Sequence, residues 1–295
     1  DIIEVTGHDS LNGNLRMQST PSALVKYIVN ATLDSLGLVQ IEMSQKFDSS
    51  DTLSVGDQNS YLEGENMWVW GHQIDNETIV WAGKDTLIVS ELDIVEAIKF
   101  EAIQGPGGGV VTYNKAEIKF SRPIETTVDS LFTVTRMDSS EVKLDSIWTK
   151  ENDPFSIEIA GKFNRGDSFE MTLLPGAVKG QGALELQDTS SFKWSIFKSN
   201  ELGEIEVIIN NVGWLELLSA NGEVIKEIEL KEGKKSIFKD LTPGTYSLKW
   251  KGDSNKNGSW DSVSLPKWKS PEAAQTLNTK VKVKADWSHE IKWLD

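Results

Sequence analysis

The chain has 295 residues, a formal net charge of −15 and no cysteine. The excess of Asp and Glu excludes ordinary nucleic-acid binding, which needs clustered Lys and Arg, and the cysteine count excludes disulfides, thiolate metal sites and a cysteine nucleophile. No apolar run approaches the ~18 residues of a membrane-spanning helix. The length suits two or three domains. A start at Asp1 without an apolar leader leads us to expect a mature form or a fragment.

Short segments typical of β-strands follow one another along the chain. They are rich in β-branched and aromatic residues and mostly alternate apolar with polar side chains. The predicted strands are LVQIEM (38–43), ETIVWAG (77–83), AEIKFS (116–121), SIEIAG (156–161), SFEMTLL (168–174), IEVIIN (205–210), WLELLS (214–219), EVIKEIEL (223–230) and TKVKVKADW (279–287). The nearest approach to a helical pattern is SALVKYIVNATLDSL (22–36), but its Val, Ile and Thr content favours a strand. The sequence therefore predicts an all-β protein.

Two breaks divide the strand pattern. A Gly/Pro-rich stretch, AIQGPGGGVVTY (102–113), is either an interdomain link or a long turn, and FKSNELGEIEV (197–207) is a polar gap before a new run of strands. We therefore expect tandem β-sandwich domains over residues 1–101, 102–199 and 200–295.

The first of these ranges holds two tryptophans in NMWVWGH (66–72). Because side chains alternate along a strand, Trp68 and Trp70 lie on one face. The favoured interpretation makes this the buried face of the first sandwich, with Val69 turned outward, because all-β domains routinely bury tryptophan. The alternative is an exposed pair that stacks on sugar rings, as in a carbohydrate-binding module of a glycan-use system.

The middle range resembles a known family in two motifs. AEIKFSRPIE (116–125) and DSFEMTLLPGAVKGQGALELQDTSSFKWSI (167–196) are similar to the opening I-x-F-S-x-P-I strand and the closing Y-x-L-x-L-x-P-G-A run of the bacterial Ig-like domain called Big_5. Phe169 stands where that family has Tyr. Within the second motif, GAVKGQG (176–182) is interpreted as a loop.

The last range carries the clearest hairpin and turn signals. Asn221-Gly222 lies between two apolar strands, which predicts a β-hairpin, and Pro243-Gly244 predicts a turn. The stretch SIFKDLTPGTYSLKW (236–250) resembles the prealbumin-like (carboxypeptidase-regulatory or Cna-B-like) β-sandwich. The residues that we expect to point into its core are Phe238, Leu241, Tyr246 and Leu248.

The stretch GDSNKNGSWD (252–261) has the oxygen spacing of a calcium-binding loop. The candidate ligands are Asp253, Asn255, Asn257, the carbonyl of Ser259, and Asp261. They stand at positions 1, 3, 5, 7 and 9 of an EF-hand-type loop, with Gly258 at position 6 for the sharp turn. Position 12 is Ser264 rather than Glu, so Glu272 would have to supply the closing carboxylate. The hypothesis is a weak structural calcium ion that fixes Trp260; the alternative is a turn in which Asn and Asp bond their own backbone.

Asp followed by Ser or Thr and then an aliphatic residue recurs along the chain. The hydroxyls of these triplets belong to Ser10, Ser35, Thr52, Thr86, Ser130, Ser146 and Ser262. One interpretation is a turn at Asp-Ser/Thr that leads into a strand. The other is that the triplets resemble the O-glycosylation sequon of exported Bacteroidota proteins, which makes these hydroxyls candidate sites of glycan attachment.

No arrangement typical of an enzyme is visible in the sequence. His8, His72 and His289 lie far apart in no metal-ligand spacing, and none of the common nucleophile or zinc-protease motifs occurs. GPGGG (105–109) lacks the Lys-Ser/Thr of a phosphate loop. We therefore predict that the protein is not an enzyme.

Together, the middle and last motifs resemble the C-terminal part of Bacteroidota Ig-like-domain lipoproteins of the outer membrane. This resemblance implies a non-enzymatic structural or protein-interaction module of the cell envelope. It further implies a part of an outer-membrane-associated lipoprotein and a subunit of a larger assembly, whose partners are other envelope proteins.

Overall fold

The structure, a computed structural model, describes residues 3–6, 16–19, 26–47, 53–54, 58–71, 79–82, 85–111, 114–230, 235–261, 270–277 and 279–293. We call residues 1–101, 102–199 and 200–295 the first, middle and last segments. The described residues form 29 strands and three short 3-10 helices, and none of them lies in an α-helix. Within these ranges no helix has the length and apolarity that a membrane crossing requires.

The first segment is organised around a five-stranded sheet. Its strands are β1 (Ile3–Thr6), β2 (Arg16–Ser19), β3 (Ile28–Asp34), β4 (Val39–Met43), β5 (Leu53–Ser54), β6 (Asn59–Glu63), β7 (Asn66–Trp70), β8 (Ile79–Ala82), β9 (Asp85–Ile88) and β10 (Ile94–Val95), with a 3-10 helix at Val89–Glu91. The large sheet has the order β10-β3-β4-β7-β6, beside a β5-β8-β9 sheet and a β1-β2 hairpin. Its core face carries Val39, Ile41, Met67 and Val69.

The middle segment is a sandwich of two four-stranded sheets. Its strands are β11 (Ala102–Gln104), β12 (Gly108–Val110), β13 (Lys115–Phe120), β14 (Ile124–Thr127), β15 (Phe132–Arg136), β16 (Leu144–Thr149), β17 (Ser156–Gly161), β18 (Ser168–Leu173), β19 (Val178–Gly180), β20 (Leu184–Glu185) and β21 (Ser190–Ile196), with 3-10 helices at Asp129–Leu131 and Ser199–Glu201. One sheet runs β11-β13-β17-β16 and the other β12-β21-β18-β15, with a small β14-β19-β20 sheet at the side. Alternate residues of the facing strands, such as Ile118, Ile157 and Met171, fill the core between them.

The last segment is a second sandwich. Its strands are β22 (Gly203–Ile208), β23 (Gly213–Leu218), β24 (Val224–Leu230), β25 (Ser236–Leu241), β26 (Gly244–Lys251), β27 (Ala274–Thr276), β28 (Val281–Val283) and β29 (Ser288–Lys292). One sheet runs β25-β22-β29, and the other runs β24-β23-β26-β27, with β28 also paired to β26. Val207, Leu217 and Leu248 belong to the core between the two sheets.

The predicted all-β class of tandem sandwiches is confirmed, and each predicted strand segment overlaps an observed strand. The Asn221-Gly222 hairpin is also confirmed, because β23 and β24 pair antiparallel across it and Gly222 has a φ of 86°. The predicted inward residues of the last segment are all buried. These are Phe238, Leu241, Tyr246 and Leu248.

Two readings of the middle segment need correction. The GAVKGQG stretch is not a loop throughout, because Val178–Gly180 is strand β19, paired with β14. The Gly/Pro stretch is not an interdomain link, because it carries the chain from β11 in one sheet to β12 in the facing sheet of the same sandwich. Phe100 stacks on Phe120 in the middle core with ring centroids 5.2 Å apart. The division at residues 101/102 and 199/200 stays a prediction.

Candidate functional site

A buried ion pair joins the first and middle segments. Arg122 lies in the connection from β13 to β14, where Pro123 favours an extended conformation for the residue before it. Its side chain has 0% exposure, and its guanidinium donates to the carboxylate of Asp34, which is 6% exposed and lies 88 positions away in the chain. Asp34 Oδ1 in turn accepts hydrogen bonds from the backbone N–H groups of Leu36 at 2.9 Å and Leu38 at 3.0 Å.

Gln181 completes this contact, which we call the Asp34–Arg122 joint. Arg122 Nε donates to the Gln181 carbonyl at 3.2 Å, and a terminal guanidinium nitrogen donates to the Gln181 amide oxygen. Gln181 Nε2 then donates to the carbonyl of Leu36 at 2.7 Å. A Cβ on Gly182 would come within 2.9 Å of the Leu36 side chain, so glycine allows this close approach. Arg122 Nε, both of its terminal nitrogens and both Asp34 carboxylate oxygens therefore have partners, and the Arg122–Asp34 and Gln181–Leu36 contacts cross between the segments.

An aromatic cluster packs beside the joint and corrects the predicted orientation of β7. Phe155, in the turn between β16 and β17 of the middle segment, is 3% exposed. Its ring lies 5.1 Å from Trp68 and 6.3 Å from Trp70, while Tyr61 stacks on Trp68 at 5.6 Å. Trp68 and Trp70 thus face the middle segment, where they are half-buried. The interpretation that put them in the first core, with Val69 turned outward, is wrong.

The register of the sheet explains this orientation. β7 pairs with β4 so that Val69 stands opposite Val39 and Met67 opposite Ile41. Directly opposed residues share a face, so these four aliphatic side chains fill the first core together. The tryptophans must then lie on the other face. Both tryptophan rings contact Phe155. Sugar stacking on Trp68 and Trp70 stays a prediction.

Polar contacts extend the same interface. Lys119 Nζ lies 2.6 Å from a carboxylate oxygen of Glu63, which links β13 to β6. The pKa of Tyr61 is raised well above its usual range, first by burial and then by the nearby carboxylates of Asp153 and Glu63. Asp153 is 8% exposed and also accepts from the Ser156 hydroxyl at 2.7 Å. The β16–β17 turn is therefore held in shape where it meets the first segment.

The Asp/Asn loop of residues 253–261 is closed by its own side chains. The two carboxylate oxygens of Asp253 accept from the backbone N–H groups of Asn257 and Gly258, both at 3.0 Å. Asn255 and Asn257 turn their amide nitrogens toward Asp261 Oδ2, at 2.6 and 3.2 Å. Asn257 Oδ1 accepts from the N–H of the next residue but one at 2.9 Å. Gly258 has a φ of 81°, the left-handed conformation that the sharp turn requires.

Glu272 returns to this loop as an anchor. Its Oε1 accepts from the backbone N–H and the hydroxyl of Ser254, both at 2.8 Å, and its Oε2 accepts from the N–H of Asp261 at 3.1 Å. These donors, with the Ser254 hydroxyl first, lower the pKa of the Glu272 carboxyl. The Glu272 carbonyl accepts from Trp260 Nε1 at 3.1 Å. Glu272 therefore fixes both the loop and Trp260.

The loop fits calcium in the chemistry of its oxygen atoms. Asp253 and Asp261 offer carboxylates, and Asn255 and Asn257 offer amide oxygens of the kind that calcium takes. Both amides direct nitrogen at Asp261 in this structure, so both would have to rotate to present oxygen to an ion. Glu272 uses both oxygens on the loop, so it does not supply the bidentate ligand of position 12. Across the described ranges, no group of three or more His, Asp or Glu side chains could hold a metal ion.

The candidate glycan-attachment hydroxyls fall at different kinds of site. Ser35, Thr86, Ser130 and Ser146 are exposed, whereas Ser10, Thr52 and Ser262 lie outside the described residues. Ser35 sits in the turn after β3, where its Oγ accepts from the N–H of Ala97 at 3.1 Å. Ser130 lies in the 3-10 turn before β15, and Ser146 lies within β16. The turn interpretation is therefore wrong for Ser146 and also for Thr86, which lies within β9, and glycan attachment stays a prediction at all seven positions.

Of the three histidines, only His289 lies among the described residues. It stands on β29, where its Nε2 accepts from the backbone N–H of Lys284 at 3.3 Å.

Sequence reasoning missed the residues that make the joint. Arg122 occupies the variable position of the S-x-P-I motif, and Gln181 belongs to a stretch interpreted as a loop. A signal for the aromatic cluster was present in NMWVW, because a strand that is apolar on both faces is typical of a strand buried on both faces. No local signal pairs Arg122 with Asp34.

No known protein-family profile matches this chain. No curated protein matches it either. Solved structures that resemble parts of it include the N-terminal part of the bacterial S-layer protein SbsC, with 12% identity, a TM-score of 0.29, and coverage of 63% of this chain and 43% of that one. The match therefore spans less than half of that SbsC structure.

Two further solved structures resemble the chain. One is SGBP-B of the Bacteroides ovatus mixed-linkage glucan utilization locus, with 11% identity, a TM-score of 0.26, and coverage of 72% of this chain and 65% of that one. The other is BcpA, the major pilin subunit of Bacillus cereus, with 10% identity, a TM-score of 0.20, and coverage of 87% and 84%. At these TM-scores the likenesses carry no functional argument.

Proposed function

We propose that this chain is a non-enzymatic structural and protein-interaction module of the cell envelope. In this proposal its three β-sandwich domains stand in series, and the first two act as one rigid body. The observation that carries the proposal is the Asp34–Arg122 joint, a fully paired ion pair that crosses from the first to the middle segment.

The energetics of such a pair favour a role in fixing geometry. Removing two charges from water costs several kcal/mol, so a buried pair adds little net stability when compared with apolar residues. It does penalise every arrangement in which either charge loses its partner. The Phe155 cluster adds apolar contact at the same interface. A joint of this kind suits a spacer that holds its outer loops and sheet edges at a fixed separation for other proteins to bind.

The envelope location rests on the sequence. The resemblance of the 116–125 and 167–196 motifs to Bacteroidota Ig-like domains supports an outer-membrane-associated lipoprotein, and the acidic, cysteine-free composition suits an exported protein. The partners in this proposal are other envelope or outer-membrane proteins, and the chain is one subunit of their assembly.

Affinity capture from native membranes tests this proposal. Tagged chain, recovered under gentle conditions, should bring down the same envelope proteins in repeated preparations. Asp34→Asn, which breaks the joint and leaves the outer loops unchanged, should capture less of them, and Glu185→Gln, which alters an exposed ion pair, should capture as much as the native chain. Recovery of the native chain alone would contradict the assembly role.

We propose further that the Asp/Asn loop binds a structural calcium ion in the range of about 10⁻⁴–10⁻³ M, as extracellular modules do. The carboxylates of Asp253 and Asp261 and the left-handed Gly258 support this. Millimolar calcium should raise the melting temperature of the native chain, and a chelator should reverse the rise. Asp253→Ala should abolish the response to calcium. A native melting temperature indifferent to both calcium and chelator would leave the loop as a turn.

The exposed hydroxyls of Ser35, Thr86, Ser130 and Ser146 are proposed sites of O-glycosylation. Their exposure allows a transferase to reach them. Intact mass analysis of protein from its native host should show added hexose mass, and an unmodified mass would end this proposal.

A further inference from the structure

A cleft of about 350 Å³ lies in the last segment at its boundary with the middle segment. Its walls come from the stretches 199–204, 239–240 and 286–288, and Trp287 forms part of them. Trp287 is 58% exposed, more than any other tryptophan whose side chain the structure describes; Trp148 follows at 39%. Ligand sites favour such junctions between domains. A largely exposed tryptophan ring beside a polar cleft is able to stack on a ligand.

The backbone around this cleft adopts three unusual conformations. Asp240 and Asp286 both have a φ of 58°, in the left-handed region. The register between β22 and β25 shifts beside Asp240, which marks a β-bulge that redirects side chains. A Cβ on Gly203 would come within 2.4 Å of the Lys284 carbonyl and 3.2 Å of the Trp287 carbonyl, so glycine lets β22 approach this turn. Conformations of this kind recur where a fold presents side chains to a ligand.

Backbone hydrogen bonds fix the main chain at Trp287. Its carbonyl accepts from the N–H of Glu204 at 3.0 Å, and the N–H of Asp286 donates to the Leu202 carbonyl at 2.8 Å. The ammonium of Lys284 lies 4.9 Å from the ring centroid. An ammonium ion covers only part of an indole ring, and 58% of Trp287 stays exposed. A main chain that is fixed before binding lowers the entropy that binding costs.

Polar side chains line the cleft beside the ring. The side chains that make no hydrogen bond or ion pair to any described residue are those of Ser199, Glu204, Lys239, Asp286 and Ser288. Asp240 differs, because Arg165 of the middle segment pairs with it at 2.8 Å. The lining thus offers hydroxyl, carboxylate and ammonium groups, with charges of both signs.

The groups that line the cleft limit the class of ligand that it can bind. A stacked nucleobase is disfavoured, because nucleic acid is repelled by a chain of net charge −15. A quaternary ammonium ion requires a cage of several aromatic rings, whereas the described ring beside Trp287 is that of His289, 6.2 Å away. A neutral pyranose has an apolar face to stack on one indole and hydroxyls for Asp286 and Ser288. We propose that this cleft binds a neutral saccharide, with Trp287 as the stacking platform.

This proposal goes beyond the structural role and does not depend on it. The test uses the full chain and neutral hexasaccharides of glucose, mannose and xylose, observed by saturation-transfer NMR and titration calorimetry. At least one should bind, with the strongest transfer to ring C–H protons. Trp287→Ala should weaken binding about tenfold or more, the loss expected from about 1.4 kcal/mol of stacking. Trp148→Ala, an exposed tryptophan outside the cleft, should bind as the native chain does.

A second variant tests the polar contact. Asp286→Asn should weaken binding by a smaller factor, because Asn tolerates the left-handed backbone and keeps one oxygen acceptor. Circular dichroism checks that each variant is folded. The proposal is overturned if no neutral hexasaccharide binds, if binding survives Trp287→Ala, or if an acidic polysaccharide such as heparin binds more tightly than the neutral panel.

Discussion

The sharpest consequence of the joint is the effect of Asp34→Asn. The substitution removes one negative charge while it keeps the size of the side chain and an oxygen that can still accept from Leu36 and Leu38 N–H. What changes is the partner of Arg122, whose guanidinium has 0% exposure. Breaking a buried ion pair by removing one partner costs about 3–5 kcal/mol, because the remaining charge is buried without compensation. Domains are stable by only about 5–15 kcal/mol, so this loss is large.

A double-mutant cycle separates the pair from its surroundings. Arg122→Met alone strands the Asp34 carboxylate and also frees the two Gln181 oxygens that the guanidinium bonds. The double variant leaves no buried charge at the joint, so its free energy of unfolding should fall by about 2–3 kcal/mol less than the sum of the two single changes.

Unfolding in guanidinium chloride, followed by far-UV circular dichroism, measures these free energies of unfolding. Glu185→Gln is the matched control, since its ion pair with Lys179 has a distance of 2.6 Å but the two side chains are 49% and 44% exposed. Exposed pairs contribute about 0–1 kcal/mol. The reasoning fails if Asp34→Asn costs no more than Glu185→Gln, or if the double-mutant effects simply add.

Three further predictions follow from buried or hydrogen-bonded groups. Leu248→Ala should lower the free energy of unfolding by about 2–5 kcal/mol because Leu248 has 0% exposure, whereas Val224→Ala, at 55% exposure, should change it by no more than about 0.5 kcal/mol. Tyr61 should stay protonated in an absorbance titration at pH values above the ordinary tyrosine pKa of about 10. Its raised pKa contributes stability that is present below about pH 10 and is lost as the pH rises through the pKa of the folded state. Tyr61→Phe should remove this loss. The lowered pKa of Glu272 contributes stability that is present above about pH 4.3 and is lost as the pH falls through the pKa of the folded state. Glu272→Gln should reduce this acid sensitivity, because the Ser254 hydroxyl then no longer meets a carboxylate.

Local patterns predicted the strands and much of the last core. Alternation of apolar and polar residues in stretches such as SFEMTLL depends on near neighbours only, so the sequence suffices to place β18. The Asn221-Gly222 hairpin and the burial of Tyr246 and Leu248 were predictable for the same reason. Each rests on turn chemistry or on the strand period.

The joint was not predictable, because its partners meet only after the chain has folded. Arg122 and Asp34 are 88 positions apart, and neither belongs to a motif that requires the other. The orientation of Trp68 and Trp70 depends on the register of β7 against β4, which decides that Met67 and Val69 fill the core. A one-residue shift of that register would reverse the two faces. The pairing of strands in the folded protein therefore determines which face the tryptophans occupy, and the local alternation of residues does not.

A distance measurement between the first and middle segments tests the central claim most directly. The chain has no cysteine, so spin labels on Glu91→Cys and Thr133→Cys, both exposed positions, mark these two segments alone. Pulsed electron paramagnetic resonance should give one narrow distribution of the distance between the two labels in the otherwise native chain, and Asp34→Asn should broaden it. A broad or multiple distribution in the native background would contradict the rigid joint.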